Sequence, residues 1–138
     1  LRVNIIPRLC DDMYCVFPEI AKKNDYLSIT YDNTQETNPE LQNLGVDECY
    51  LFLRAEQSTF SAFNYTTPEL ASSTPALKMK AIPDRPGFFR ITFIPEDMFA
   101  GIIPETFNLK TLKFYVLKPG FTYTIAPPFQ SFSFLTCD

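Results

Sequence analysis

The segment Tyr26-Leu27-Ser28-Ile29-Thr30-Tyr31 alternates, with Leu27, Ile29 and Tyr31 on one side and Ser28 and Thr30 on the other. A period of two is the mark of a half-buried β-strand, because successive side chains leave a strand on opposite faces. The same rule predicts a strand over Cys49 to Ala55, with Cys49, Leu51 and Leu53 opposed to Tyr50, Phe52 and Arg54. Both of its faces carry apolar groups, so it belongs in the middle of a sheet. The longest alternating run is Leu109 to Lys118, which sends Leu112, Phe114 and Val116 inward and Thr111, Lys113 and Tyr115 outward. Shorter strands are predicted at Val3–Ile6, ended by Pro7, at Leu77–Ile82, at Phe88–Ile94 and at Phe129–Leu135. The turn Pro83-Asp84-Arg85-Pro86-Gly87 makes a hairpin of Leu77–Ile82 and Phe88–Ile94.

Between the strands the pattern is turn-like. Cys10 to Pro18 reads as a loop, and Asp32-Asn33-Thr34 turns the chain into a polar surface loop from Gln35 to Asn43. One helical turn is expected at Pro39–Leu44 and another at Pro95–Phe99, ended by Gly101. Glu56 to Pro75 reads as a long loop rich in Ser and Thr that carries Phe60, Phe63 and Tyr65. Loops of that length in compact domains are commonly functional. About seven short strands and no strong helix give an all-β, immunoglobulin-like antiparallel β-sandwich with Greek-key crossings, as a single domain over residues 1–138. An open barrel satisfies the same alternation.

Composition agrees. Fourteen Phe and seven Tyr suit pleated surfaces, and twelve Pro against four Gly would break long helices. The net charge of -4 repels phosphate backbones, and Arg54, Arg85 and Arg90 read as isolated, so nucleic acid is not an expected partner. No run of roughly 18 apolar residues exists, so no transmembrane segment is expected. The opening Leu1-Arg2-Val3-Asn4-Ile5-Ile6-Pro7 is too short for a signal-peptide core and suits the start of a trimmed chain.

Four cysteines, Cys10, Cys15, Cys49 and Cys137, form an even set without zinc spacing, which favours disulfides and an oxidising compartment. A local Cys10–Cys15 bridge with a long-range Cys49–Cys137 bridge is the preferred connectivity; the crossed pairings stay open. The long-range bridge would stabilise by up to ~4 kcal/mol in the chain-entropy view.

The chain has no His, and no Gly-rich phosphate loop or nucleophile elbow occurs, so no enzyme activity or cofactor is expected. The acidic pairs Asp11-Asp12, Asp47-Glu48 and Glu96-Asp97 read as solvated turn charges, since neighbours in extended chain point apart. Asp25, Asp32, Asn33 and Glu36 offer oxygen ligands but lack the order of a calcium loop, and turn formation explains them. Asn64-Tyr65-Thr66 is a glycosylation sequon.

Binding is the expected role. Tyr26, Tyr31, Tyr50, Tyr65, Tyr115 and Tyr123 offer stacking surfaces for a sugar, with Gln57, Asn64 and Gln130 as polar companions, although Trp is absent. Surplus aromatics also suit the centre of a protein–protein interface. The candidate surface is Phe60, Phe63, Asn64 and Tyr65 with Tyr50 and Tyr115.

Four segments carry a resemblance. They are Asp25–Asp32, Cys49–Arg54, Gly87–Phe99 and Leu112–Gly120, in that order. Their succession resembles the N-terminal immunoglobulin-like modules of SusE-type glycan-binding lipoproteins on the surface of Bacteroidota. The resemblance spans roughly residues 17–120 and rests on strand-and-turn patterns. It implies export to the outer-membrane surface, a lipoprotein context and a SusC/SusD-like protein partner, with polysaccharide capture as the shared task. The lipidated N-terminal Cys and the tryptophans of a sugar site are not present in this sequence. The expected function is a non-enzymatic, exported cell-surface module acting mainly by protein docking, with direct carbohydrate binding as the alternative.

Overall fold

The computed structural model describes residues 12–57, 62–104, 107, 109–120 and 129–135. Eight strands form among these residues: β1 (Tyr14–Phe17), β2 (Leu27–Asp32), β3 (Tyr50–Glu56), β4 (Ala62–Asn64), β5 (Lys80–Ala81), β6 (Phe88–Phe93), β7 (Thr111–Leu117) and β8 (Gln130–Ser133). They build two four-stranded sheets, β1-β2-β6-β5 and β4-β3-β7-β8, and every pairing is antiparallel. Neighbours in sequence pair as hairpins, and the chain crosses between sheets after β2, β4 and β6. That is the Greek-key order of an immunoglobulin-like sandwich, with β4 added at one edge.

Alternation decides which side chains meet between the sheets. Leu27, Ile29 and Tyr31 of β2 stand opposite Phe93, Ile91 and Phe89 of β6, and all six are buried. From the other sheet Leu51, Leu53 and Ala55 of β3 face inward, with Leu112, Phe114 and Val116 of β7 beside them. Each such apolar side chain removed from water contributes about 1.5–3 kcal/mol, which makes this layer the main source of stability. Tyr14 stitches the layer together. Its ring lies 5.1 Å from that of Tyr31 and 5.8 Å from that of Phe114, and its hydroxyl accepts the Val116 N–H of the opposite sheet at 3.2 Å.

Among the described residues helix is confined to single turns, α1 (Pro68–Ala71) and α2 (Pro95–Met98), and to 3-10 turns at Asn33–Gln35, Pro39–Leu41 and Pro75–Leu77. Four of the five open on a proline, whose missing N–H and fixed φ suit a first helical position.

Several expectations need correction. The Cys10–Pro18 stretch contains β1, whose four residues pair with β2 from Tyr14↔Tyr31 to Phe17↔Ser28. The expected strand Leu77–Ile82 shrinks to the two residues of β5, because Pro75 starts a 3-10 turn that runs to Leu77. The stretch Glu56–Pro75 holds β4 and α1 rather than being loop throughout. The expected strand Val3–Ile6 lies outside the described residues.

Candidate functional site

The aromatic surface expected at residues 56–75 is not one surface. Phe63 stands opposite Ala55 on the core side of its sheet and meets the Phe107 ring edge-on at 5.2 Å. Asn64, the next residue, is exposed on the outer side opposite Arg54. Tyr65 is half-buried, its ring edge-on to Phe99 at 5.9 Å. Phe60 lies outside the described residues, as does Tyr123. Adjacent strand positions point apart, so these rings and amides cannot present a common face.

Tyr115 does point outward from β7, yet it is only 6% exposed. It stacks on Phe52, 2% exposed, with centroids 4.9 Å apart, and Phe129 closes over both at 5.3 and 6.1 Å. The Arg54 guanidinium covers Phe129 at 5.8 Å and is held in place by Glu56, which also takes Lys113 at 3.2 Å. The outer side of this sheet therefore carries a closed second apolar cluster. Tyr50 flanks it, half-buried. Tyr31 is fully buried in the core, which leaves Tyr26, at 69% exposure, as the open ring among the described tyrosines.

Two of the four cysteines fall among the described residues. Cys49 is a free, fully buried thiol 3.7 Å from the Met79 sulfur, which overturns the expected Cys49–Cys137 bridge. Burial pushes its thiol well above the ordinary range, so it behaves as a small apolar side chain. Cys15 is not a free thiol, while Cys10 and Cys137 lie outside the described residues.

The carboxylates after β2 organise a loop. Asp32 accepts from the Thr34 N–H at 3.0 Å, the Thr34 hydroxyl and the Gln35 amide. Burial pushes its pKa up, but these hydrogen bonds outweigh it and hold the carboxyl below its ordinary value. Glu36 accepts from the Tyr31 hydroxyl and from two backbone N–H groups, of Thr37 and Asn38. Asp25 accepts from the Lys22 N–H. The oxygens considered for calcium are thus spent on the chain's own donors, and no metal-ligating cluster occurs among the described residues.

Among the described residues two surfaces stand open, at opposite edges of the sheet β1-β2-β6-β5. The first is apolar. Of the six large apolar side chains exposed among the described residues, Phe17, Ile20, Tyr26 and Leu135 gather around the β1–β2 connection, to which Leu135 is tied by its N–H on the Ala21 carbonyl. The second is cationic. A groove of about 610 Å³ runs along β5 and is lined by Lys78, Lys80 and Arg90 among Pro75, Ala76 and Ile82. Lys80 stands directly opposite Arg90, and Lys78 reaches Asp47 at 2.5 Å, which raises its pKa. Arg90 reads as isolated in the sequence; pairing of β6 with β5 sets it opposite Lys80 and in one groove with Lys78. The Lys78-Met79-Lys80 alternation, with Met79 fully buried, was the one local sign that two cations share a face.

No helix among the described residues is long and apolar enough to cross a membrane. No family model, curated protein or solved structure matches the chain.

Proposed function

We propose that the chain is a non-enzymatic, exported module that docks on a protein partner in a cell-surface assembly through the apolar end at the β1–β2 connection. The observation that carries this reading is the exposure of Phe17, Ile20, Tyr26 and Leu135 at one place, at 42%, 73%, 69% and 54%. Clustered exposed apolar groups mark an interface, because hydration of such a patch is a standing cost that a partner removes. The cysteine content and the bonded state of Cys15 favour an oxidising compartment. An outer-membrane complex of the glycan-uptake type, with a SusC/SusD-like partner, is the setting that the sequence resemblance implies.

A photo-crosslinking residue placed at Ile20 or Tyr26 in the native cell should yield a discrete protein adduct, whereas the same group at Asn64 should not. Absence of any adduct at the apolar end would overturn the reading.

Direct glycan binding is the second reading, favoured by Tyr26. Its exposed ring shares an outer face with the Ser28–Thr92 hydroxyl pair, two strand positions on, whose oxygens are 2.8 Å apart. Unretarded migration of the protein through gels containing a polysaccharide series would remove it.

A further inference from the structure

We propose that the groove along β5 is a second docking site, which takes an acidic, extended peptide segment of a partner protein as an added strand. The strand β5 borders this groove. It pairs with β6 on one side only, and it ends the sheet. The Ile82 N–H bonds the Phe88 carbonyl at 2.9 Å, which puts Ile82 and Phe88 at a hydrogen-bonding position of the register, although the Phe88 N–H turns to the Arg85 carbonyl. In an antiparallel ladder such pairs alternate, which gives Lys80 and Arg90 the next one and turns the N–H and carbonyl of Ala81 away from β6. Ala81 is exposed and lines the groove, so an unpaired donor and acceptor of an edge strand face it. Edges of this kind accept an additional strand.

Charge fixes what kind of strand. Lys80 and Arg90 are direct cross-strand partners, an arrangement that like charges disfavour. No carboxylate lines the groove, and neither cation forms an ion pair among the described residues. The Arg90 Nε makes only a long bond, of 3.4 Å, to the Thr30 hydroxyl, which leaves the rest of the guanidinium fork for a carboxylate. Lys78 already holds one carboxylate, that of Asp47, whose side chain is 78% exposed. A ligand carboxylate between Lys80 and Arg90 would relieve their repulsion.

The remaining lining selects a peptide over a sugar acid. Pro75, Ala76, Ala81, Ile82, Pro83 and Ile91 supply aliphatic contacts, and no aromatic ring lines the groove to stack on a sugar. Three cations in a chain of net charge -4 are also a poor match for a nucleic-acid backbone. An alternating acidic and apolar strand fits: its carboxylates meet the cations and its main chain meets Ala81.

The test uses a fluorescent peptide of alternating Glu and Val, with a Lys–Val peptide and polygalacturonate as the other probes. The Glu–Val peptide should bind, more weakly as salt rises, and Lys80→Gln with Arg90→Gln should weaken it about tenfold or more. Both substitutions lie on the outer side of the sheet, so folding is checked by an unchanged unfolding midpoint. Ala81→Pro, which removes the outward N–H, should weaken binding by a similar factor with Lys80 and Arg90 in place. Equal affinity of wild type and the double variant would overturn the proposal, as would preference for polygalacturonate or for the Lys–Val peptide, or no binding of the Glu–Val peptide. The outcome is independent of the crosslink at Ile20, which reports on the opposite edge of the sheet.

Discussion

At the scale of single residues, Asn33 does more than its surface suggests. It is buried, and its amide donates to the Tyr31 hydroxyl at 3.0 Å and to the Leu41 carbonyl at 2.7 Å. Its side-chain oxygen accepts the Leu44 N–H at 3.0 Å, and its own N–H reaches the Gly87 carbonyl at 2.8 Å. Truncation would strand the Leu41 carbonyl and the Leu44 N–H at once, and would leave the Tyr31 hydroxyl with Glu36 alone. Asn33→Ala should therefore cost about 2 kcal/mol or more in urea unfolding; a loss below about 0.5 kcal/mol would mean that water replaces the amide. In the sequence this residue reads as a turn former or an oxygen ligand, which is correct for its position but blind to its partners. Those partners come from Tyr31, Leu41, Leu44 and the distant turn at Gly87, and no local pattern announces them. Cys49 is the same case. Its even-numbered company suggested a bridge, and only the packing against Met79 shows a free thiol.

At the scale of elements, alternation was a sufficient guide wherever one face meets the core. The segments of β2, β3, β6 and β7 are all legible, as are the two opposed faces of β2 and β3 and the inward set Leu112, Phe114 and Val116 of β7. It failed at two of the edge strands, β1 and β4, while the edge strand β8 lies within the predicted Phe129–Leu135. β1 and β4 are short, flanked by acids or hydroxyl residues, and only partly buried, so the pairing with β2 and β3 supplies what their own pattern lacks. Parity also could not tell that outward-facing Phe52 and Tyr115 are buried, because Phe129 arrives from just ahead of β8, beyond the Pro119-Gly120 turn.

Turn chemistry joins these elements and can be tested. Gly87 has φ +86°, and a Cβ there would lie 2.7 Å from the Thr34 methyl, whose hydroxyl is held by Asp32. Gly120 has φ +78° and open space around it. Gly120→Ala should lose about 1 kcal/mol from backbone strain alone, and Gly87→Ala about 2 kcal/mol or more. Equal losses would show that the Thr34 side chain moves aside freely.

For the whole molecule, the central point is a division of labour among aromatic rings. Most of the rings that suggested a binding surface are consumed by two apolar layers, one between the sheets and one outside β3 and β7. The meeting of Lys80 with Arg90 in the β5 groove is not legible in the sequence, for a complementary reason. Lys80 and Arg90 are brought together by strand register, and register is a property of the fold. What remains for recognition lies at the two edges of one sheet, apolar beside β1 and cationic beside β5.

That division is tested most directly by urea unfolding of Phe52→Ala and Tyr26→Ala, measured side by side with wild type. The account predicts that Phe52→Ala loses about 3 kcal/mol or more, as for a large ring removed from a closed cluster. Tyr26→Ala should stay within about 0.5 kcal/mol of wild type, as for a ring standing in solvent. Comparable losses in the two variants, or a stable Phe52→Ala beside an unstable Tyr26→Ala, would contradict it.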